Sequence, residues 1–320
     1  MFNLLETWIQ EQSLALAGAL LLDFLLGDRE TWPHPARWMG WGYSKLESFW
    51  RRKNEMGVSR GILTVIVVAG ISGLVPGALL LIPMSGVGRV CLEAFLFYWC
   101  LSIRGLSDET LKVKESLARK RLDRARKLLA RVVGRDTGKL SASEISRAAV
   151  ETIGESFVDG FLSPVFWGLL GGPAGAYFFK AVSTGDSMIG HPEPPYRRFG
   201  WAAARLDDAM NFIPARLSLL VLAPAAFLSG LSSGKLIRSF FNDRLKHLSP
   251  NAAHGEAVFA GALGVKLGGV NFYGGKAHRQ EFLNTSGRSC GLEDIGLAVR
   301  LLWAGAGVTL VFLIGVGVLI

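Results

Sequence analysis

The chain has 320 residues, half of them hydrophobic, with a formal net charge of +9 and a positive mean hydropathy. Soluble domains of this length are rarely so apolar while so basic, so a soluble all-helical protein with a large core is set aside. The 3 cysteines show no paired spacing, which excludes a zinc or disulfide framework; Cys91 and Cys100 read as small buried hydrophobes, and Cys290 stands in a polar stretch.

Along the chain, apolar stretches near the roughly 18–20 residues needed to span a bilayer alternate with basic ones. Leu14 to Leu26 is a weak span carrying Asp23; without a basic n-region or small-residue cleavage site it reads as retained. A basic stretch, Asp28 to Arg60, follows, with His34 between Pro33 and Pro35. Gly61 to Pro83 and Val90 to Gly105 are predicted spans, joined by the short Met84 to Arg89. Arg104 to Arg147 is the most basic segment, and within it Arg119 to Arg131 reads as an amphipathic helix lying on anionic lipid. No base-reading element accompanies it, so nucleic acid is not an expected partner.

Phe157 to Lys180 is apolar but interrupted by Gly171-Gly172-Pro173, which predicts two short helices re-entering on the cytoplasmic side. Phe212 to Leu231 and Ile295 to Ile320 are further spans, and Glu256 to Val270 reads as a close-packed helix. The expected fold is all-α: a polytopic integral membrane protein of about four to six membrane segments, one read as re-entrant, with amphipathic cytoplasmic helices. Residues 1–320 are expected to form a single integral membrane catalytic domain. The Lys/Arg asymmetry places cytoplasmic loops at approximately 28–60, 104–155 and 183–211, in a cell (inner) membrane with the active site facing the cytoplasm.

Two acidic sets stand beside apolar segments. Glu151, Glu155 and Asp159 are spaced i, i+4, i+8, so on a helix they share one face, the outer two about 12 Å apart. A plain charged face with an Arg147–Glu151 pair is the alternative. Asp207, Asp208 and Asn211 offer the few hard oxygen ligands that magnesium prefers, flanked by Arg205 and Arg216, which suit phosphate oxygens. The alternative is an Asp-capped helix start. Lys180 to Gly190, with Ser183, Thr184, Asp186 and Ser187, reads as a turn-prone stretch fit for a phosphate cradle of backbone N–H groups, without being a Walker A loop. His34 is a candidate ligand or acid. Ser249-Pro-Asn251 and His254-Gly-Glu256 form a further polar island.

In order along the chain, Leu22-Asp-Phe-Leu-Leu-Gly-Asp28, Pro33-His-Pro-Ala-Arg37, Val133-Gly-Arg-Asp-Thr137, Arg147-Ala-Ala-Val-Glu151, Asp159-Gly160 with Pro164, Lys180 and Asp186-Ser-Met-Ile-Gly190 lead to Phe199 through Arg216. Ser249-Pro-Asn-Ala252 and Phe259 through Gly269 complete the set. Together these blocks resemble the CobD/CbiB family of cobalamin biosynthesis, adenosylcobinamide-phosphate synthase. Two places depart from the family pattern: Gly154-Glu-Ser156 stands for Ala-Glu-Asn, and Ser183-Thr-Gly-Asp-Ser-Met188 for Asn-Thr-Leu-Asp-Ser-Met.

The resemblance implies a ligase that joins a corrinoid carboxylate, that of adenosylcobyric acid, to the amine of (R)-1-aminopropan-2-ol O-phosphate or a related amino alcohol, with ATP as co-substrate and magnesium. Residues and resemblance together nominate Glu151, Glu155, Asp159, Lys180, Asp207 and Asp208 as catalytic. They nominate His34, Arg37, Arg147, Ser183, Thr184, Asp186, Ser187, Arg205, Asn211, Arg216 and Asn251 for substrate or phosphate, and Asp207, Asp208 and Glu155 for metal. Both acidic sets are expected to face one wide cytoplasmic cavity. Membrane lipid is an expected partner; other cobalamin-assembly enzymes and a second copy of the chain stand as candidates. The alternatives are a magnesium-dependent membrane prenyltransferase and a non-catalytic membrane signalling relative of the same fold. A transporter is disfavoured because symmetric spans are missing.

Overall fold

The computed structural model describes residues 2–28, 32–191 and 193–319; residues 29–31, inside the basic 28–60 stretch, and Ile320, the expected end of the last span, lie outside them. The helices are α1 (Phe2–Leu26), α2 (Pro35–Arg52), α3 (Val58–Leu79), α4 (Val87–Tyr98), α5 (Ile103–Ala118), α6 (Leu122–Leu129) and α7 (Ala142–Phe157). After a π-helical turn (Val158–Leu162) come α8 (Ser163–Ile189), α9 (Tyr196–Phe199), α10 (Trp201–Leu228), α11 (Ser233–Asp243) and α12 (Ala252–Leu263). A hairpin, β1 (Leu267–Tyr273) and β2 (Lys276–Leu283), precedes α13 (Leu292–Leu319). Five helical segments are long and apolar enough to cross a bilayer: Leu4–Leu26, Val58–Leu79, Val87–Ala118, Trp201–Leu228 and Leu292–Leu319. The protein is an all-α, multi-pass membrane protein carrying one small hairpin.

The chain folds as two compact units interleaved in sequence. The first comprises Met1–Leu101, Phe161–Asn211 and Phe312–Ile320, the second Ser102–Gly160 and Phe212–Val311. In the first, α1 turns Ala15, Leu16, Ala19 and Leu20 inward, while Leu21, Phe24 and Leu25 stay exposed, as on a lipid-facing helix. Its packing against α4 encloses a polar pair: Gln12 Nε2 donates to Glu93 Oε2 at 2.9 Å, and Arg89 Nε donates to Glu93 Oε1 at 2.6 Å. Glu93 is fully buried, so that arginine offsets a carboxylate otherwise costly at this depth.

The predicted break in α8 is present. Gly172 has φ 61° and ψ −161°, a region closed to residues with a Cβ, and Pro173 follows. The second half then runs to Ile189, past the expected end at Lys180. α3 packs along α8, and Gly61 of α3 lies so close to the Phe199 backbone that a Cβ there would collide with it.

Several boundaries differ from expectation. α10 begins at Trp201 instead of Phe212, because Ala202-Ala-Ala-Arg-Leu206 is a strong helix-forming run. Arg119 to Arg131 is not one helix. Lys120 adopts φ 55°, and the Lys120 and Arg121 N–H groups bond back to Leu117 and Ser116 to close α5, so α6 starts afresh at Leu122. Ala125 and Leu129 are fully buried against protein, which removes the lipid-facing role of that apolar stripe. The predicted helix from Glu256 to Val270 stops at Leu263, where Gly264 is left-handed (φ 66°), and the chain enters β1. Gly274-Gly275, both at positive φ, form the hairpin turn. The stretches expected as loops carry α2 within 28–60, most of α5 to α7 within 104–155, and the end of α8, all of α9 and the start of α10 within 183–211. Cys91 is exposed on α4, whereas Cys100 and Cys290 are buried.

Candidate functional site

In the second unit, α7 opens with a capping box: Ser141 and Glu144 bond reciprocally across the first turn. Two turns on, Glu151 is 1% exposed and bonds at both oxygens. Oε2 accepts from Arg135 Nη1 at 2.5 Å. Oε1 accepts from the Gly268 N–H at 2.7 Å and from Arg147 Nη1 at 3.3 Å. Arg147 also donates to the Gly268 carbonyl and, at 2.9 Å, to Asn271 Oδ1, which takes a further bond from Arg135 at 3.0 Å. Gly268 (φ 86°) makes this possible, since a Cβ there would run into the Glu281 carbonyl across the hairpin. Glu151 is therefore the buried counter-ion of two arginines that fasten β1 to α7, and its oxygens are already engaged.

One turn later α7 crosses α12 at Gly154 and Gly255. A Cβ on Gly255 would run into the Gly154 carbonyl, and one on Gly154 would lie 3.1 Å from the Glu256 Cα. The next residue on each helix is a glutamate, so the close approach sets Glu155 and Glu256 beside the Glu151 cluster. Burial pushes the Glu256 carboxyl well up, and the charges of Glu151 and Glu155 add to the rise against Arg135 and Arg147. Gln280 Nε2 donates to Glu256 Oε2 at 3.3 Å. Glu155 is open to solvent on one side and enclosed on the others. Burial raises its pKa, Arg135 pulls it back, and Glu151 adds to the rise; the open side makes that burial only partial. Asp159, the third member of the acidic set, sits in the π-helical turn, where hydrogen bonds skip an extra residue, so the regular i, i+4 phase ends at Glu155.

The other acidic set belongs to the first unit. Asp207 Oδ2 accepts from Asn211 Nδ2 at 2.9 Å, and Asn211 Oδ1 accepts from the Ser163 hydroxyl at 2.5 Å. Asn211 thus spends its amide within the protein instead of standing open as a metal ligand. Asp208 pairs with the exposed Arg205 at 3.3 Å, a surface contact of small worth. Neither aspartate caps a helix start, because α10 begins at Trp201, well ahead of both. Ser183, Thr184, Asp186 and Ser187 lie on α8, where backbone N–H groups are spent in the helix; Thr184 Oγ1 donates back to the Lys180 carbonyl at 2.8 Å. The expected cradle of backbone N–H groups is therefore not formed.

His34 is the N-cap of α2: its Nδ1 accepts the Ala36 N–H at 3.1 Å, and Nε2 lies 3.8 Å from Asp28 Oδ2. Burial lowers its pKa, opposed by Asp28 and assisted by Lys180 and by the exposed Arg37, so the ring is neutral near pH 7. Among the described residues no three His, Cys, Asp or Glu side chains gather as a metal cluster. Magnesium keeps most of its waters and takes one or two carboxylates with substrate phosphate, so Asp207 or Asp208, which lie on different sides of α10, would need no third acid to hold it.

A family model described as the CobD/Cbib protein matches residues 16–302. The chain belongs to the CobD/CbiB family. It is 38% identical over 309 residues to the cobalamin biosynthesis protein CbiB of Salmonella typhimurium, covering 94% of this chain and 96% of that one. To the cobalamin biosynthesis protein CobD of Pelobacter propionicus it is 42% identical over 301 residues, 92% of each chain. To that of Klebsiella pneumoniae it is 37% identical over 311 residues, 95% of this chain and 97% of that one. No solved structure matches the chain.

Both departures from the CobD/CbiB pattern sit where packing is tight. Gly154 lets α12 close on α7. Gly185, in place of the pattern's leucine, meets Tyr43, whose ring would lie 2.5 Å from a Cβ there. Asn271 and Gln280 escaped sequence reasoning, and Arg135 appeared only within the block Val133 to Thr137, without a role. Arg135 lies outside any helix, and the other two lie in a hairpin that was not foreseen; Gly274-Gly275 after Val-Asn-Phe-Tyr was the signal available.

Proposed function

We propose that this protein is an ATP- and magnesium-dependent ligase of cobalamin biosynthesis, joining adenosylcobyric acid to (R)-1-aminopropan-2-ol O-phosphate to give adenosylcobinamide phosphate. The observation that carries this reading is the family match across residues 16–302, with both relatives and family model spanning the polar residues described above. The chemistry is coherent. A carboxylate is a poor electrophile, so its oxygen takes the terminal phosphoryl group of ATP, releasing ADP. The amine then attacks the acyl carbon, phosphate leaves, and a base takes the amine proton. Magnesium, held by Asp207 or Asp208, would offset phosphate charge. In this reading Lys180 is a cation for phosphate oxygens, and Glu155, solvent-open beside a carboxyl of raised pKa, is suited to accept the amine proton. The basic stretches support a cytoplasmic-side position for these residues at the inner membrane.

The test is purified protein with ATP, magnesium, adenosylcobyric acid and the amino-alcohol phosphate, assayed by product mass. ATP-dependent product carrying the mass of both substrates less one water is expected; its absence with verified substrates refutes the reading. One observation favours a second reading. An apolar groove of about 680 Å³, lined by Trp38, Trp41, Val68, Ile71, Phe95 and Trp99, has room for an isoprenoid chain, as a membrane prenyltransferase requires. Release of diphosphate from a prenyl diphosphate, with no amide product, would establish that alternative.

A further inference from the structure

Arg216 stands within α10, one of the helices long and apolar enough to cross a membrane, where charged side chains are rare and have a task or a partner. Among the described residues it has no carboxylate partner. Its guanidinium lies over the Phe212 ring at 3.4 Å, and Nη1 donates to the Phe212 carbonyl at 2.5 Å and to Asn251 Oδ1 at 3.4 Å. Arg244, at the C-cap of α11, lies over Phe240 and Phe241 at 5.4 and 5.0 Å and likewise has no acidic partner. Its neighbour Asp243 is committed elsewhere: it accepts from Lys246 at 2.6 Å, from the Ser239 hydroxyl at 3.1 Å and from the Asn284 N–H at 2.8 Å.

Both arginines act on one residue. His254 is 1% exposed, packs edge-on against Phe240 with ring centroids 5.4 Å apart, and its Nδ1 has no hydrogen-bond partner. Burial, with the charges of Arg216 and Arg244 and against a hydrogen bond to the Asn251 backbone, pushes its pKa down to about 4, so at neutral pH it adds no third positive charge and offers an uncharged ring. His254 stands in the first turn of α12, whose N-terminus has no side-chain cap, with Asn251 at the N-cap position. Two cations without counter-ions, an uncapped helix N-terminus and a buried imidazole nitrogen without a partner thus meet in the second unit. Stacking leaves the N–H edge of a guanidinium free for oxygen acceptors, and an uncapped helix start presents N–H groups to an anion.

We propose that Arg216, Arg244, Asn251 and the start of α12, backed by His254, form a phosphate-binding site that holds the phosphate of a phosphomonoester substrate. This rests on the ligase reading for the identity of that substrate, the amino-alcohol phosphate. Arg244 and His254 become binding residues, and their role is to hold the phosphate end while the amine stays free to react.

The test measures binding without ATP or corrinoid, using the full-length protein in phosphatidylcholine nanodiscs. The probes are (R)-1-aminopropan-2-ol O-phosphate, unphosphorylated 1-aminopropan-2-ol and ATP. The phosphorylated amine is expected to bind, the unphosphorylated one to bind at least about tenfold more weakly, and Arg244→Gln to lose about tenfold, the scale of one charge-assisted hydrogen bond. Arg244→Lys keeps the charge and should fall between, which covers poor folding of the glutamine variant. Equal binding of both amines by the wild type, or unchanged binding in Arg244→Gln and Arg216→Gln, overturns the proposal. So does preferential protection by ATP. Loss of amine-phosphate binding on adding phosphatidylglycerol would assign the phosphate to a lipid headgroup and refute the substrate role. Binding without ligation sinks the ligase reading alone, whereas ligation with binding indifferent to both arginines sinks this site alone.

Discussion

Replacing Glu151 by Gln removes one negative charge from between two buried arginines and keeps the side chain's size. Arg135 and Arg147 have side chains only 10% and 11% exposed, so water cannot take over the lost contact. Removing one partner of a buried ion pair costs about 3–5 kcal/mol. Here the cost should lie near the low end, about 3 kcal/mol. Arg147 keeps its bonds to the Gly268 carbonyl and Asn271, Arg135 keeps Asn271, and the glutamine oxygen still accepts the Gly268 N–H. The loss should be local, because the cluster fastens β1 to α7. Hydrogen-exchange mass spectrometry on peptides covering 142–157 and 267–283 reads it directly. About 3 kcal/mol corresponds to roughly a hundredfold loss of protection. Peptides from α1 and α3 in the first unit serve as the internal control. A loss below about fivefold in the hairpin, or an equal loss in the control, would show that Glu151 does not hold the two arginines in the manner described.

Three further outcomes are expected. Native Glu256 has a raised pKa and so binds its proton more tightly than the unfolded chain does. Its contribution to stability is therefore full below the unfolded value of about 4.3 and lost as pH rises through the folded one; Glu256→Gln should flatten the fall in stability as pH rises above the unfolded value, read in urea titrations. Gly255→Ala should destabilise strongly, by about 1–3 kcal/mol or more, and Gly154→Ala much less, because the first Cβ meets a carbonyl and the second only grazes α12; similar unfolding midpoints for the two variants would contradict the crossing geometry. Asp207→Asn or Asp208→Asn should abolish ATP-dependent product formation while the protein stays folded in detergent, and near-normal turnover in both would return these residues to pairing roles.

The spans were legible because length and apolarity alone decide them, and the break in α8 because Gly-Gly-Pro leaves a helix no alternative. The boundaries were less so. Asp207 and Asp208 looked like the mouth of a span, since hydropathy rises only at Phe212, while helix propensity carries α10 back to Trp201. The i, i+4 pattern of Glu151 and Glu155 was visible, but the division of labour between them was not. It depends on Arg135 and on a strand more than a hundred residues away, which reach Glu151 and leave Glu155 partly open. The phosphate cradle expected around Ser183 failed for a simple reason: hydroxyl-rich segments with one glycine are also acceptable helices when Ala181, Val182 and Ile189 have a core to enter.

The interleaving of the two units constrains the order in which the protein can be made. The first unit takes residues from both ends of the sequence, Met1–Leu101 and Phe312–Ile320, and Gly317 lies close against Leu14. That unit is not finished until its last helical turns have been synthesised, whereas the second closes with Val311. α1 can pack on α4 as soon as that helix is made, but its approach to Gly317 at Leu14 waits while more than two hundred residues are added. A chain ending at Val311 would carry all of the second unit and an incomplete first one. The final turns of α13 are thus the last piece laid on α1, and Leu14 stays without its Gly317 contact until they are made.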